Sequence, residues 1–117
     1  MIAIAGTIHF VDPADRDACV AAAVEWVRST RQDEPGCLGY SFSADPVDAD
    51  RIAVFELWAD EESLAGHFGH PNFAAMRHLL RGYPRHPSAV RKYRIDLDGP
   101  VYDESGTPRA DFVGSES

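Results

Sequence analysis

The sequence predicts an α+β fold of order β-α-β-β-α-β, one antiparallel sheet with two helices on one face. Three observations carry this. Residues Met1 to Phe10 are apolar on both parities, as in a strand covered on both faces. Two stretches with helical apolar spacing follow, each opened by an aspartate and stopped by proline. Shorter runs with strand character lie between and after them, joined by turn-forming residues. At 117 residues, 44% hydrophobic and 26% charged, the chain has the size and composition of one globular domain.

The opening strand ends with Thr7 and His9. Asp12-Pro13 then supplies an N-cap and an N1 proline, and Asp15 and Asp17 suit the positive end of a helix. Cys19, Ala22, Ala23, Trp26, Val27 and Thr30 make one helical stripe, with Arg16, Glu25, Arg28 and Arg31 off it. The helix is expected from Pro13 to about Gln32, stopping before Pro35-Gly36. A second strand, Cys37 to Ala44, sets Leu38, Tyr40 and Phe42 against Gly39, Ser41 and Ser43. The polar stretch DPVDAD joins it in a hairpin to a third strand, Arg51 to Ala59. That strand places Ile52, Val54 and Trp58 opposite Ala53, Phe55 and Leu57, with Glu56 its one internal charge.

Asp60 caps the next helix, whose apolar side is Leu64, His67 and Phe68. Gly69-His70-Pro71 interrupts it, because proline is tolerated only in a first turn. A further helical piece carries Phe73, Met76, Leu80 and Tyr83 until Pro84 and Pro87. The last strand, about Ser88 to Asp98, alternates Tyr93, Ile95 and Leu97 with Lys92, Arg94 and Asp96. This is the split βαβ order of ferredoxin-like folds, which puts the first and third strands at the sheet centre.

Helices cover only one sheet face. The other keeps large groups from among Tyr40, Phe42, Phe55 and Leu57, a patch beyond what a monomer normally exposes. A homodimer through that sheet face is therefore expected. The domain is expected over residues 1–98, with 99–117 a polar tail, mobile or packed on the partner subunit. Asp103, Glu104, Asp111 and Glu116 against Arg109 put −3 of the chain's −8 there.

Nineteen acidic against eleven basic side chains, with a single lysine, argue against a nucleic-acid partner. No apolar run approaches the length of a membrane span, and MIAIAGTIHF lacks the basic start and cleavage site of an export signal. A cytoplasmic location is expected, where Cys19 and Cys37 stay reduced. Neither cysteine looks like a nucleophile, since Cys19 lies on the buried stripe and Cys37 opens a strand.

The segments EPGCLGYSF (34–42), FELWADEESLAGHF (55–68) and HPNF (70–73) resemble the antibiotic biosynthesis monooxygenase family over about residues 1–97. The resemblance implies a dimeric α+β barrel of ferredoxin-like subunits, each with a small-molecule pocket between sheet and helices. Some relatives oxidise phenols or quinols with O₂ and no cofactor, others open haem, and many have no established substrate.

His67 is the first candidate for chemistry. It shares a helical stripe with Leu64 and Phe68, and an imidazole can take and return a phenolic proton. The plain alternative is a packing histidine bonded to a carbonyl. Glu56, mid-strand among apolar neighbours, needs a partner; it either orients His67 or Arg94 or joins a dimer salt bridge. Trp58, Tyr40, Phe73, Met76 and Tyr93 are candidates to line a flat cavity, or are simply core. His9 follows Thr7 toward the pocket mouth, while His78 and His86 face solvent.

No metal site is expected. His67 and His70 are three apart, but Pro71 breaks the helix and no HExxH or CxxC accompanies them. No GxGxxG or P-loop pattern suggests a nucleotide or flavin. Haem would need His67 or His70 as axial ligand, and the first strand lacks the asparagine of haem-degrading relatives. The leading expectation is a cofactor-independent monooxygenase acting with O₂ on an electron-rich phenol, quinol or polyketide-like aromatic. The alternative is a non-catalytic small-molecule-binding barrel or pathway accessory; the third reading is a haem-binding or haem-degrading relative.

Overall fold

The computed structural model describes residues 1–112. Its elements are β1 (Ile2–His9), α1 (Pro13–Asp33), β2 (Cys37–Ala44), β3 (Arg51–Trp58), α2 (Glu61–Phe68), α3 (Pro71–Arg81) and β4 (Ala89–Arg94). The sheet order is β2-β3-β1-β4, and every pairing is antiparallel. This is the ferredoxin-like α+β arrangement, with the two doubly apolar strands at the centre. The second helical stretch is split in two as the sequence indicates: α2 stops at Phe68, and α3 restarts at Pro71 with His70 as its N-cap.

Register decides which side chains meet the helices. Ile2, Ile4 and Ile8 of β1 lie opposite Trp58, Glu56 and Ile52 of β3, and Tyr40 and Phe42 of β2 continue the same rows. These residues form the core with Cys19 and Ala23 of α1, Leu64 of α2 and Met76 of α3. A Cβ at Gly6 would collide with the backbone of Ala89 and Val90, so only glycine lets β4 lie this close to β1.

The opposite face carries Ala3, Ala5, Phe55, Leu57 and Tyr93 in adjacent register, with Phe55 46% and Tyr93 50% exposed. Tyr40 and Phe42 therefore leave the open-face group expected for them and pack under the helices. Leu38 also departs from its expected face. The β2–β3 register shifts between Cys37 and Gly39, and this bulge turns Leu38 out to solvent.

Further expectations are corrected. On α1, Arg16 is 8% exposed, whereas Ala22 faces solvent. The β2–β3 connection turns the carbonyls of Asp45, Asp48 and Arg51 toward Arg16, which donates to all three at 3.0–3.4 Å. The Asp48 and Arg51 carbonyls also accept from the Arg51 and Asp45 N–H groups, so Arg16 adds a second donor to those two and ties the turn to α1. Phe68 remains half exposed instead of joining the core. His9 bonds Thr7 on the open sheet face, at 3.1 Å, away from the helices. β4 ends at Arg94, because β1 begins at Ile2 and offers its partner only one further bond, Ile95 N–H to Met1 O at 2.9 Å.

The segment expected as a tail closes a small turn. Tyr102 bridges Pro108, and the Asp103 carboxylate accepts from the Ser105 and Thr107 N–H groups at 3.0 Å. Residues 113–117 of that tail lie outside the described residues. Among the described residues no helix is long and apolar enough to cross a membrane.

Replacing Arg16 by Met keeps the apolar stem and removes the donor from three loop carbonyls. The expected loss is about 2–3 kcal/mol, read as a lower urea midpoint with unchanged m. A midpoint equal to wild type would mean that water satisfies the loop equally well.

Candidate functional site

Local signals build the site. β3 ends at Trp58, and Asp60 caps α2 by accepting from Ser63 N–H at 2.7 Å. With so short a connection, the face of α2 bearing Leu64 and His67 turns onto the end of β3. His67 is 1% exposed, its ring centroid 4.5 Å from that of Trp58. Tyr40 and Phe73 meet the imidazole edge-on, each at 5.4 Å. Four of the expected residues thus converge: His67, Trp58, Tyr40 and Phe73.

Three others take different places. Glu56 does not reach His67; it accepts the Trp58 Nε1–H at 3.0 Å. Met76 is buried in the core cluster with Tyr40 and Trp58. Tyr93 sits on the open sheet face, opposite Ala3, and takes no part in the His67 cluster.

The partner of His67 is Glu34, which the sequence reading did not single out. The Nδ1 atom lies 2.9 and 3.1 Å from the two carboxylate oxygens of Glu34, itself 7% exposed. A carboxylate only accepts, so this bond assigns the proton to Nδ1 and leaves Nε2 with a free lone pair. Asn72 Nδ2–H donates to Glu34 Oε2 at 3.2 Å, and Ser29 Oγ–H donates to Asn72 Oδ1 at 2.9 Å. His70 lies 3.9 Å from Glu34 Oε2, but its Nδ1 accepts the Asn72 N–H at 3.0 Å. That nitrogen carries no proton, so His70 caps α3 and is not an ion-pair partner. One signal pointed at Glu34: it ends a helix, where the negative dipole end disfavours a carboxylate unless other groups hold it.

Burial drives the His67 pKa below its ordinary 6.5, and the Glu34 bond and charge oppose this without reversing it. At neutral pH the ring is neutral. Burial pushes Glu56 up from 4.5 to about 7, the Trp58 bond holding it back and the Glu34 charge adding to the rise. Burial likewise raises Tyr40, with the Glu56 and Glu34 charges reinforcing it, so its phenol stays protonated.

A recess of about 360 Å³ opens beside the pair, between the end of α1 and the exposed side of α2. Trp58, Glu34 and His67 meet Asp33, Glu62, Ser63 and His70 in its wall. A Cβ at Gly36 would collide with the Ser63 side chain, so glycine permits the close approach of α2 there. Of the residues expected to line a pocket, only His67 and Trp58 do so here. A larger groove of about 460 Å³ runs between α1 and β2, but its polar groups are Arg28, Arg31, Gln32, Ser41 and Ser43, with no base for proton transfer. Among the described residues no group of three or more His, Cys, Asp or Glu side chains could hold a metal ion.

The family model for antibiotic biosynthesis monooxygenases matches residues 1–79. An uncharacterised protein of Synechocystis is 29% identical over 94 residues, covering 80% of this chain. The chain spans only 63% of that relative's length. Among solved structures, a proposed antibiotic biosynthesis monooxygenase of Deinococcus radiodurans is similar in fold, with TM-score 0.76 and 19% identity over 88% of this chain and all of that one. A crystal structure described as an antibiotic biosynthesis monooxygenase gives TM-score 0.70 and 26% identity, covering 83% of this chain and 100% of its own. A Mycobacterium tuberculosis protein gives TM-score 0.70 and 25% identity, covering 83% and 95%.

The raised pKa of Glu56 makes a signed prediction. The folded state holds the proton more tightly than the unfolded chain, so stability is fully present below pH 4.5 and is lost as pH rises to about 7. Glu56→Gln keeps an acceptor for Trp58 and removes the titration. Its advantage over wild type is expected to grow from pH 4.5 to pH 8 by up to about 3 kcal/mol, measured by urea unfolding at both values. An advantage independent of pH would show that the carboxylate is as well solvated as in the unfolded chain.

Proposed function

The chain belongs to the antibiotic biosynthesis monooxygenase family, and from that premise we propose that it is a cofactor-independent monooxygenase for an electron-rich phenol or quinol. The observation that carries this reading is the buried Glu34–His67 pair, its imidazole stacked on Trp58, with all three residues in the wall of the recess. In the proposed reaction Nε2 takes the phenolic proton while Nδ1–H stays on Glu34. The carboxylate steadies the imidazolium that forms and fixes its orientation. The substrate anion passes one electron to O₂, and the radical and superoxide combine at carbon to give a peroxide. The peroxide takes a proton and loses water to leave a quinone. In total, one phenol and one O₂ give one quinone and one water. His67 is the catalytic base, Glu34 its positioning residue, and Trp58 the flat wall against which the ring lies.

A non-catalytic binding protein is the second reading. The observation in its favour is the coverage of His67, whose ring is packed between Trp58, Tyr40 and Phe73. Oxygen uptake separates the two. With a panel of anthrones, naphthols and quinols, wild type is expected to consume O₂ and His67→Ala to lose about 10²–10⁴-fold in kcat/KM. The acid limb of the wild-type profile is expected below pH 6.5, since His67 must be neutral. Glu34→Gln removes the charge that holds the imidazole pKa up, and is expected to move that limb further down. No uptake above background across the panel would overturn the oxidation and favour the binding reading.

We also infer a homodimer through the open sheet face. Phe55, Leu57 and Tyr93 supply it with an apolar surface that the chain's own helices leave uncovered. Phe55→Glu is expected to give a monomer in sedimentation velocity where wild type sediments as a dimer; a monomeric wild type would overturn the assignment.

A further inference from the structure

The recess that opens onto His67 carries charge of one sign. Three carboxylates line it, from Asp33, Glu34 and Glu62, and no lysine or arginine does. The two histidines add no fixed positive charge. His67 keeps its proton on Nδ1, which donates a hydrogen bond to Glu34, and His70 accepts at Nδ1 from the Asn72 N–H. Helix ends reinforce the sign. The wall begins where α1 stops, at its negative pole. The opposite wall is α2, from Glu62 and Ser63 to Gly66 and His67, and the positive pole at its start would ordinarily favour an anion. Asp60 already occupies that pole, accepting from Ser63 N–H at 2.7 Å, and Glu61 and Glu62 fill its first turn.

We infer that this acidic rim selects substrates that arrive without negative charge, with Asp33 and Glu62 as the specificity-determining residues. The inference rests on the proposed oxidation for its substrate, an electron-rich aromatic, and adds that the ring carries no carboxylate, sulfate or phosphate group. The rim does not oppose the chemistry itself. Proton transfer from a neutral phenol to Nε2 leaves the total charge of the recess unchanged, because the imidazolium forms beside the anion. A substrate that enters as a carboxylate brings an uncompensated charge against Asp33, Glu34 and Glu62. The α1–β2 groove provides the contrast within the same molecule: Arg28 and Arg31 line it without any carboxylate.

The test uses three ligands on one ring system: 1,8-dihydroxyanthrone, its ring carboxylate and the corresponding carboxamide. Oxygen uptake is measured with these, and equilibrium binding with the three matching anthraquinones, which do not turn over. At low salt the carboxylate is expected to be at least about ten-fold weaker than the carboxamide by both readouts, and the gap should narrow at high salt. The double variant Asp33→Asn, Glu62→Gln should reduce it to about three-fold or less. A carboxylate that binds as well as the amide, or a gap the double variant leaves intact, overturns the selection. Oxygen uptake without a gap would leave the oxidation standing and remove the selection. A binding gap without uptake would do the reverse. Failure of all three quinones to bind, with no oxygen uptake from any of the three anthrones, overturns both.

Discussion

A buried carboxylate at the wrong end of a helix organises this structure. Glu34 closes α1 where the helix dipole repels it, and it is nearly sealed from water. An unpaired charge there would cost several kcal/mol, so the surrounding chain must supply donors. It does so from two directions: Nδ1–H of His67 on α2 and Nδ2–H of Asn72 on α3. Ser29, one turn back on α1, in turn holds Asn72. Three helices are thereby tied at one point. The break at Gly69-His70-Pro71 belongs to the same arrangement. It lets α3 restart with His70 as its cap and Asn72 in its first turn, within reach of the carboxylate.

The sheet contributes a second carboxylate with the opposite fate. Glu56 shares the helix-facing row with Trp58 and Tyr40 because side chains alternate and all three fall on one parity. Glu34 has two side-chain donors, whereas Glu56 has the one indole N–H. The difference is visible in its protonation, poised near neutrality. The negative charge at Glu34 also favours the protonated form of Glu56.

Much of this was legible from residue order. Strand centrality and the proline break in the second helical stretch follow from periodicity and capping; His67, Trp58 and Phe73 stand among the pocket candidates, whereas Tyr40 is also expected on the open face. What was missed is tertiary. The bulge that expels Leu38 breaks the two-residue period, and nothing local announces it. Arg16 reads as a surface charge because its acceptors are backbone carbonyls 29 to 35 residues away. Tyr93 alternates properly on its strand, but register with Ala3 turns its parity to the open face. Glu34 stands 33 residues from His67, so their pairing has no sequence period to reveal it.

Burial sets a thermodynamic limit on what His67 can deprotonate. An ordinary phenol has a pKa near 10, whereas the His67 imidazole lies below 6.5. Transfer between them is uphill by more than about 5 kcal/mol. A deeply covered base therefore cannot accumulate a simple phenolate; on the proposed reaction the anion must be drained by O₂ as it forms, or the substrate must be more acidic than phenol. Extended aromatics in which the anion spreads over several rings meet both demands, since the same delocalisation that lowers the pKa supports the radical left after electron transfer. Glu34 works in this direction as well. Its charge opposes the desolvation of His67, and without it the base would be weaker still. The carboxylate that the helix end makes expensive to bury is thus what holds the neighbouring imidazole up against desolvation.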